Sequence, residues 1–201
     1  MPRWEGDAAG RLERAALELF DERGFDRTTV AQIAQRAGLN ERSFYRYFAD
    51  KREALFGGGD ELQQQLSQAL QEVPADVGPL DTLLAALGTA EQVFRPRELL
   101  HIRARVISAN PELRERELIK MESIVAMFQA ALRDRGVDEA TARVATDLAV
   151  TIWRAAGQRW GRDEEMTFAE QVQDAARNFR QVAAGHQADA AAGDPAAAPA
   201  R

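Results

Sequence analysis

The chain predicts an all-α fold. Apolar residues recur at helical spacing along most of its length, prolines and glycines fall between those runs, and strand-like alternation is nearly absent. Leu12, Ala15, Ala16, Leu19 and Phe20 lie at i, i+3, i+4, i+7 and i+8, the apolar face of a first helix that Gly24 caps and Phe25 plugs. Thr28 or Thr29 offers the N-cap oxygen of a second helix, with Val30, Ile33, Ala34 and Ala37 inward. Gly38 marks a tight turn, and Asn40 caps a short third helix over residues 41–47. Further helices are expected at 50–73, 79–94, 96–109, 111–135, 138–161 and 167–184. Pro74, Pro79, Pro96 and Pro111 sit at the boundaries, where proline is tolerated, and Gly136 and Gly161 follow the last periodic residues of two helices. Gly57, Gly58 and Gly59 interrupt the fourth helix, each costing about 1 kcal/mol relative to alanine. They form either a hinge or a loose loop. The Ala-, Gly- and Pro-rich segment 185–201 reads as a disordered tail.

Composition narrows the chemistry. With no cysteine among 201 residues, disulfides, thiolate catalysis and cysteine-bound metals are excluded. The only two histidines, His101 and His186, have no metal-ligand spacing, so no metal and no cofactor is expected. The four serines lack a nucleophile-elbow context, and no acid–base pair stands out, so the chain does not read as an enzyme. The N-terminal stretch carries Glu5 and Asp7 and no apolar core, so no signal peptide is expected. The most apolar stretch, VATDLAVTIW, is short and contains Asp147; a soluble cytoplasmic protein that avoids membranes is the expectation.

The charge is unevenly spread. The whole chain has a formal net charge of −6, yet residues 27–52 hold six cations against two acids, a net +4. A local basic patch is the usual footprint of a polyanion-binding surface. Within it, the third helix divides into two faces: Phe44 and Phe48 on one side, Glu41, Arg42, Tyr45 and Arg46 on the other. Two short helices joined by a glycine turn, the second polar and cationic outward, make a helix-turn-helix, with double-stranded DNA as the partner. Arg42 or Arg46 has the donor geometry to read guanine.

Residues 16–56, ALELFDERGFDRTTVAQIAQRAGLNERSFYRYFADKREALF, resemble the N-terminal DNA-binding domain of the TetR family of bacterial regulators. The resemblance rests on Phe20, Gly24, Phe25, Thr29, Ile33, Ala34, Ala37, Gly38, Phe44, Tyr45, Tyr47, Phe48, Lys51 and Leu55. It implies that Thr28 or Thr29, Ser43, Tyr45, Tyr47 and Lys51 lie against DNA, with Lys51 opening the fourth helix and clamping a phosphate. Glu41 departs from the basic or neutral residue of many members, and is expected to accept from a cytosine amino group or pair with Arg42. The implied organisation is a DNA-binding domain at 1–49, a connecting helix at 50–73 broken at 57–59, a ligand-binding and dimerisation domain at 74–184, and the tail. The C-terminal half is loosely similar to actinobacterial members, including mycofactocin-system regulators.

The C-terminal half carries two further expectations. Val144, Leu148, Thr151, Ile152 and Ala155 of the eighth helix, with Phe168, Val172, Ala175 and Phe179 of the ninth, suit a four-helix interface of a homodimer. Phe94, Arg103, Met121, Ile124, Val125, Phe128 and Trp153 are candidates to line a cavity for a small-molecule effector. Arg103 sits amid an apolar face and needs either a structural acid, Glu117 or Glu122, or an anionic ligand group. The function expected is a one-component, ligand-responsive repressor that binds a palindromic operator as a dimer. The alternatives are a helical protein-interaction module or an activator without a small-molecule ligand.

Overall fold

A computed structural model describes residues 8–93, 97–160 and 165–191. Phe94, Gly161, Asp163, Glu164 and the segment 192–201 lie outside them. Among the described residues there are nine α-helices and no strand: α1 Ala8–Arg23, α2 Val30–Arg36, α3 Glu41–Tyr47, α4 Gly59–Glu72, α5 Pro79–Gly88, α6 Arg97–Ala109, α7 Pro111–Asp134, α8 Glu139–Trp160 and α9 Phe168–Ala191. Short 3-10 turns occupy Glu53–Leu55 and Thr89–Gln92.

Local chemistry explains most of the boundaries. Thr29 and Gln32 form a reciprocal capping box at the start of α2. Gly38, at φ +67°, closes α2 in a Schellman arrangement, with the Leu39 amide donating to the Ala34 carbonyl and the Gly38 amide to that of Gln35. Gly136, at φ +84°, repeats the device after α7. Asp138 accepts from the Thr141 amide at 3.0 Å to start α8. Thr167 and Glu170 form a second reciprocal pair at the start of α9.

Three boundaries differ from the periodicity. The fourth helix begins at Gly59 rather than residue 50, because Asp50 caps a 3-10 turn by accepting from the Arg52 and Glu53 amides. Gly58 then adopts φ +77° as the N-cap of α4. Gly57 and Gly58 therefore precede the helix instead of weakening its interior. α5 stops at Gly88, with the 3-10 turn after it, and α9 continues to Ala191, past the expected end at 184.

Two apolar clusters organise the packing. The first contains Leu12, Leu19, Phe20, Phe25, Ile33, Phe44, Phe48, Leu55 and Phe56, joined by Leu99, Val106 and Ile107 of α6 and Leu113 of α7. The second draws on α4, α5, α7, α8 and α9 around Leu66, Leu83, Leu87, Phe128, Ala149, Trp160, Phe168 and Val172. α6 straddles them: Leu99, Val106 and Ile107 are buried in the first cluster while Leu100 packs against the second.

Candidate nucleic-acid interface and ligand cavity

α3 is short because its ends are fixed by side chains and by Phe48. Asn40 accepts from the Ser43 amide at 2.9 Å, and at the other end Phe48 leaves the helix in extended conformation. Phe44 is fully buried and Phe48 nearly so, their rings 5.3 Å apart, which holds the helix on α1 and α2. The opposite face is open. Glu41, Arg42, Arg46 and Tyr47 are exposed, and Tyr45 retains 57% of its surface. Arg46 donates to the Tyr47 hydroxyl at 2.6 Å, and its guanidinium also lies 4.7 Å from the Tyr47 ring centroid. That pairing fixes both tips near the C-terminal end of α3. Arg42 stands one turn earlier, with no ion pair to Glu41 among the described contacts.

Two residues of the expected DNA face are committed to the fold. Thr28 is 1% exposed, and its hydroxyl donates to the Gly24 carbonyl at 2.9 Å; Thr29 is the N-cap and remains exposed. Thr28 is thus a brace between α1 and α2 rather than a DNA contact. Lys51 directs its ammonium at the carbonyls of Phe25, Thr28 and Asp26, at 2.7, 3.1 and 3.4 Å, and lies 4.2 Å from the Phe25 ring centroid. An ammonium has three donors, so this side chain ties down the loop between α1 and α2 instead of standing free as a phosphate clamp. Arg52 is paired with Asp50 at 2.6 Å on the surface.

Ion pairs join this domain to α6 and α7. Arg105 of α6 pairs with Asp21 of α1. Glu53, in the 3-10 turn, accepts from Arg116 at 2.7 Å and pairs with Lys120 at 3.1 Å, both on α7. Burial acts to raise the Glu53 carboxyl, but Arg116 and Lys120 outweigh it and hold the group below the ordinary carboxylate range. Arg103 settles its own ambiguity: it pairs with Glu117 at 3.0 Å, donates to the Leu55 carbonyl at 2.9 Å and lies 5.2 Å from the Phe56 ring centroid.

A cavity of about 390 Å³ opens between α4, α6, α7 and α8. Arg103, Met121, Ile124 and Trp153 line it as expected. Phe128 does not; it is fully buried in the second cluster. Val125 is half-buried and off the cavity wall. Periodicity missed Lys120, Leu62, Leu100, Gly57–Gly59 and Trp160, which also line it. Lys120, one turn before Ile124 and one of only two lysines, carried a usable signal. The expected interface residues also divide. Ile152, Phe168, Val172 and Ala175 are buried within the protomer, so they are its own core. Val144, 58% exposed, Thr151 and Ala155 face outward, with Leu148 and Phe179 half-buried and Val182 76% exposed.

An all-helical chain with a seated helix-turn-helix and a second helical unit enclosing a cavity belongs to the class of helix-turn-helix DNA-binding regulators. Residues 13–56 match the family model described as bacterial regulatory proteins, tetR family. Over those residues the chain carries the N-terminal DNA-binding domain of that family. It is 31% identical over 136 residues to the transcriptional regulator TcmR of Streptomyces glaucescens, an alignment covering 64% of this chain and 60% of TcmR. It is 28% identical over 164 residues to a Mycobacterium tuberculosis protein named for regulation of mycofactocin biosynthesis, MftR, covering 79% and 82% of the two chains. Thermus thermophilus FadR, a TetR-family repressor solved with lauroyl-CoA, shares the fold with a TM-score of 0.52 at 21% identity, over 96% of this chain and 98% of FadR.

Proposed function

We propose that the protein is a cytoplasmic transcriptional repressor, not an enzyme, that binds a palindromic operator as a homodimer and is released by a small molecule held in the cavity. The observation that carries this reading is α3: Phe44 buried beneath it, and Arg42, Tyr45 and Arg46 on an open ridge. A guanidinium so placed reads guanine in the major groove, while Thr29, Ser43, Tyr45 and Tyr47 bond phosphate oxygens and set the register. Two copies are needed because one helix-turn-helix reads a single half-site, and paired ones read half-sites about one DNA turn apart. The outward row Val144, Leu148, Thr151 and Ala155, beside Phe179 and Val182, supplies the surface for a symmetric contact.

α6 supplies the coupling. One side of it belongs to the core under α1 and α3, and the other touches the cavity through Leu100 and Arg103. A ligand that fits the cavity better when α6 is displaced shifts the population toward a spacing of recognition helices that no longer fits the operator. The family fold accommodates such ligands, as FadR does lauroyl-CoA.

The test is selection of duplex DNA by the purified protein, followed by titration of wild type and Arg42→Ala across salt concentrations. Wild type should bind as a dimer with strong salt dependence. Arg42→Ala should lose about 1–3 kcal/mol and relax discrimination at one base pair per half-site. Undiminished sequence preference in Arg42→Ala would remove α3 from the reading.

A further inference from the structure

Three features of the cavity wall bear on what it holds. Its apolar part is broad, with Leu62, Leu100, Met121, Ile124, Trp153 and Trp160. Its charged part holds three cations, Arg103, Lys120 and Arg154, against Asp60 and Glu117. The cations differ in how they are held. Arg103 is fixed by Glu117, the Leu55 carbonyl and the Phe56 ring, so it is part of the wall. Lys120 is held by Glu53, which lies outside the cavity in the 3-10 turn after α3, and its ammonium is 5.7 Å from the Phe56 ring centroid.

Resting on the cavity as the effector site, we propose that the effector is an anionic amphiphile whose head group takes Lys120 from Glu53. An ammonium offers three donors on a flexible stem, so Lys120 can turn to a carboxylate in the cavity without a change in the helix. Glu53 is not stranded by the exchange, because Arg116 still donates to it at 2.7 Å. A neutral amphiphile gains nothing at this position, and a cationic one meets Lys120 and Arg103 across a wall whose net charge is positive. The exchange also gives the ligand a direct hold on the DNA-binding domain. It dissolves one of the two described ion pairs from α7 to Glu53, in the turn that follows Phe48, the anchor of α3.

The probes are decanoate, decanol and decyltrimethylammonium, matched in chain and used below their micellar concentrations. The readout is emission of Trp153 and Trp160 in the full chain carrying Trp4→Phe, which removes the third tryptophan. Decanoate should bind at least tenfold more tightly than either other probe. Lys120→Met should lower decanoate to the level of decanol and leave decanol unchanged. Glu53→Gln should bind decanoate several-fold more tightly, because the competing carboxylate is gone; a residue with a merely structural role would not do this. Equal binding of all three probes, or decanoate binding untouched by Lys120→Met and Glu53→Gln, overturns the anion exchange and leaves the cavity standing. Failure of every probe to bind overturns the cavity as effector site and the exchange with it.

Discussion

Lys51 is the residue whose two roles make opposite predictions. As a phosphate clamp its loss would spare the fold and weaken DNA binding. As the brace seen in the structure, its loss should cost stability first. Hydrogen bonds that involve a charged group contribute about 1.5–3 kcal/mol each. The contacts to Phe25 and Thr28, at 2.7 and 3.1 Å, qualify, while the third at 3.4 Å adds little. Lys51 is half-buried, so water recovers part of what is lost; Lys51→Met, which keeps the apolar stem over Phe25, should destabilise by about 2–3 kcal/mol.

Urea unfolding and a salt series of operator binding, run on the same variant, separate the cases. The brace predicts a lower unfolding midpoint and an unchanged slope of log affinity against log salt. A clamp predicts an unchanged midpoint and a slope reduced by about 0.9 per protomer. The second pattern would refute the structural reading of Lys51.

Other positions answer to simpler measurements. Gly58→Ala should cost about 1–2 kcal/mol in urea unfolding, because φ +77° strains any residue with a Cβ, whereas Gly59→Ala at the first turn of α4 should be neutral or stabilising. Val144→Asp should convert a dimer to a monomer by sedimentation without lowering the protomer's melting temperature, whereas Ile152→Ala should lose about 2–4 kcal/mol of protomer stability. Glu53 is held below its ordinary value of 4.5, so its contribution is fully present above that pH and lost as pH falls through the depressed value. Glu53→Gln should therefore be less stable than wild type by about 1 kcal/mol near neutrality, with the difference shrinking once the melting series falls below pH 4.5 and gone below the depressed value.

The helix-turn-helix was readable from local rules, and the reason is visible in its parts. Gly38, Asn40 and Phe44 each have a short-range duty: a left-handed turn, a cap, a plug. Each duty restricts residue type within a few positions, so sequence spacing carries the information. Thr28 and Lys51 lie in the same stretch but act over longer reach. Thr28 bonds back to Leu19, and Lys51 to Phe25, 26 residues away. A threonine before a helix and a lysine in a basic patch have commonplace local roles that hide such contacts.

The eighth and ninth helices show a different limit. Val144 and Ile152 are both β-branched, both on an arc too broad for one neighbour, and nothing in their spacing says which neighbour each meets. The structure divides them by what α5, α7 and α9 cover: Ile152 is 3% exposed and Val144 58%. Breadth of an apolar arc thus counts neighbours without naming them. A monomer's core and a partner's surface draw on the same residue types, because both exclude water by packing. What separates them physically is the residue left uncovered after the protomer has folded. In the proposed homodimer that leaves Val144, Leu148, Thr151 and Ala155 as the row open to a second copy, and it removes Phe168 and Val172 from any list of positions where substitution reports on association alone.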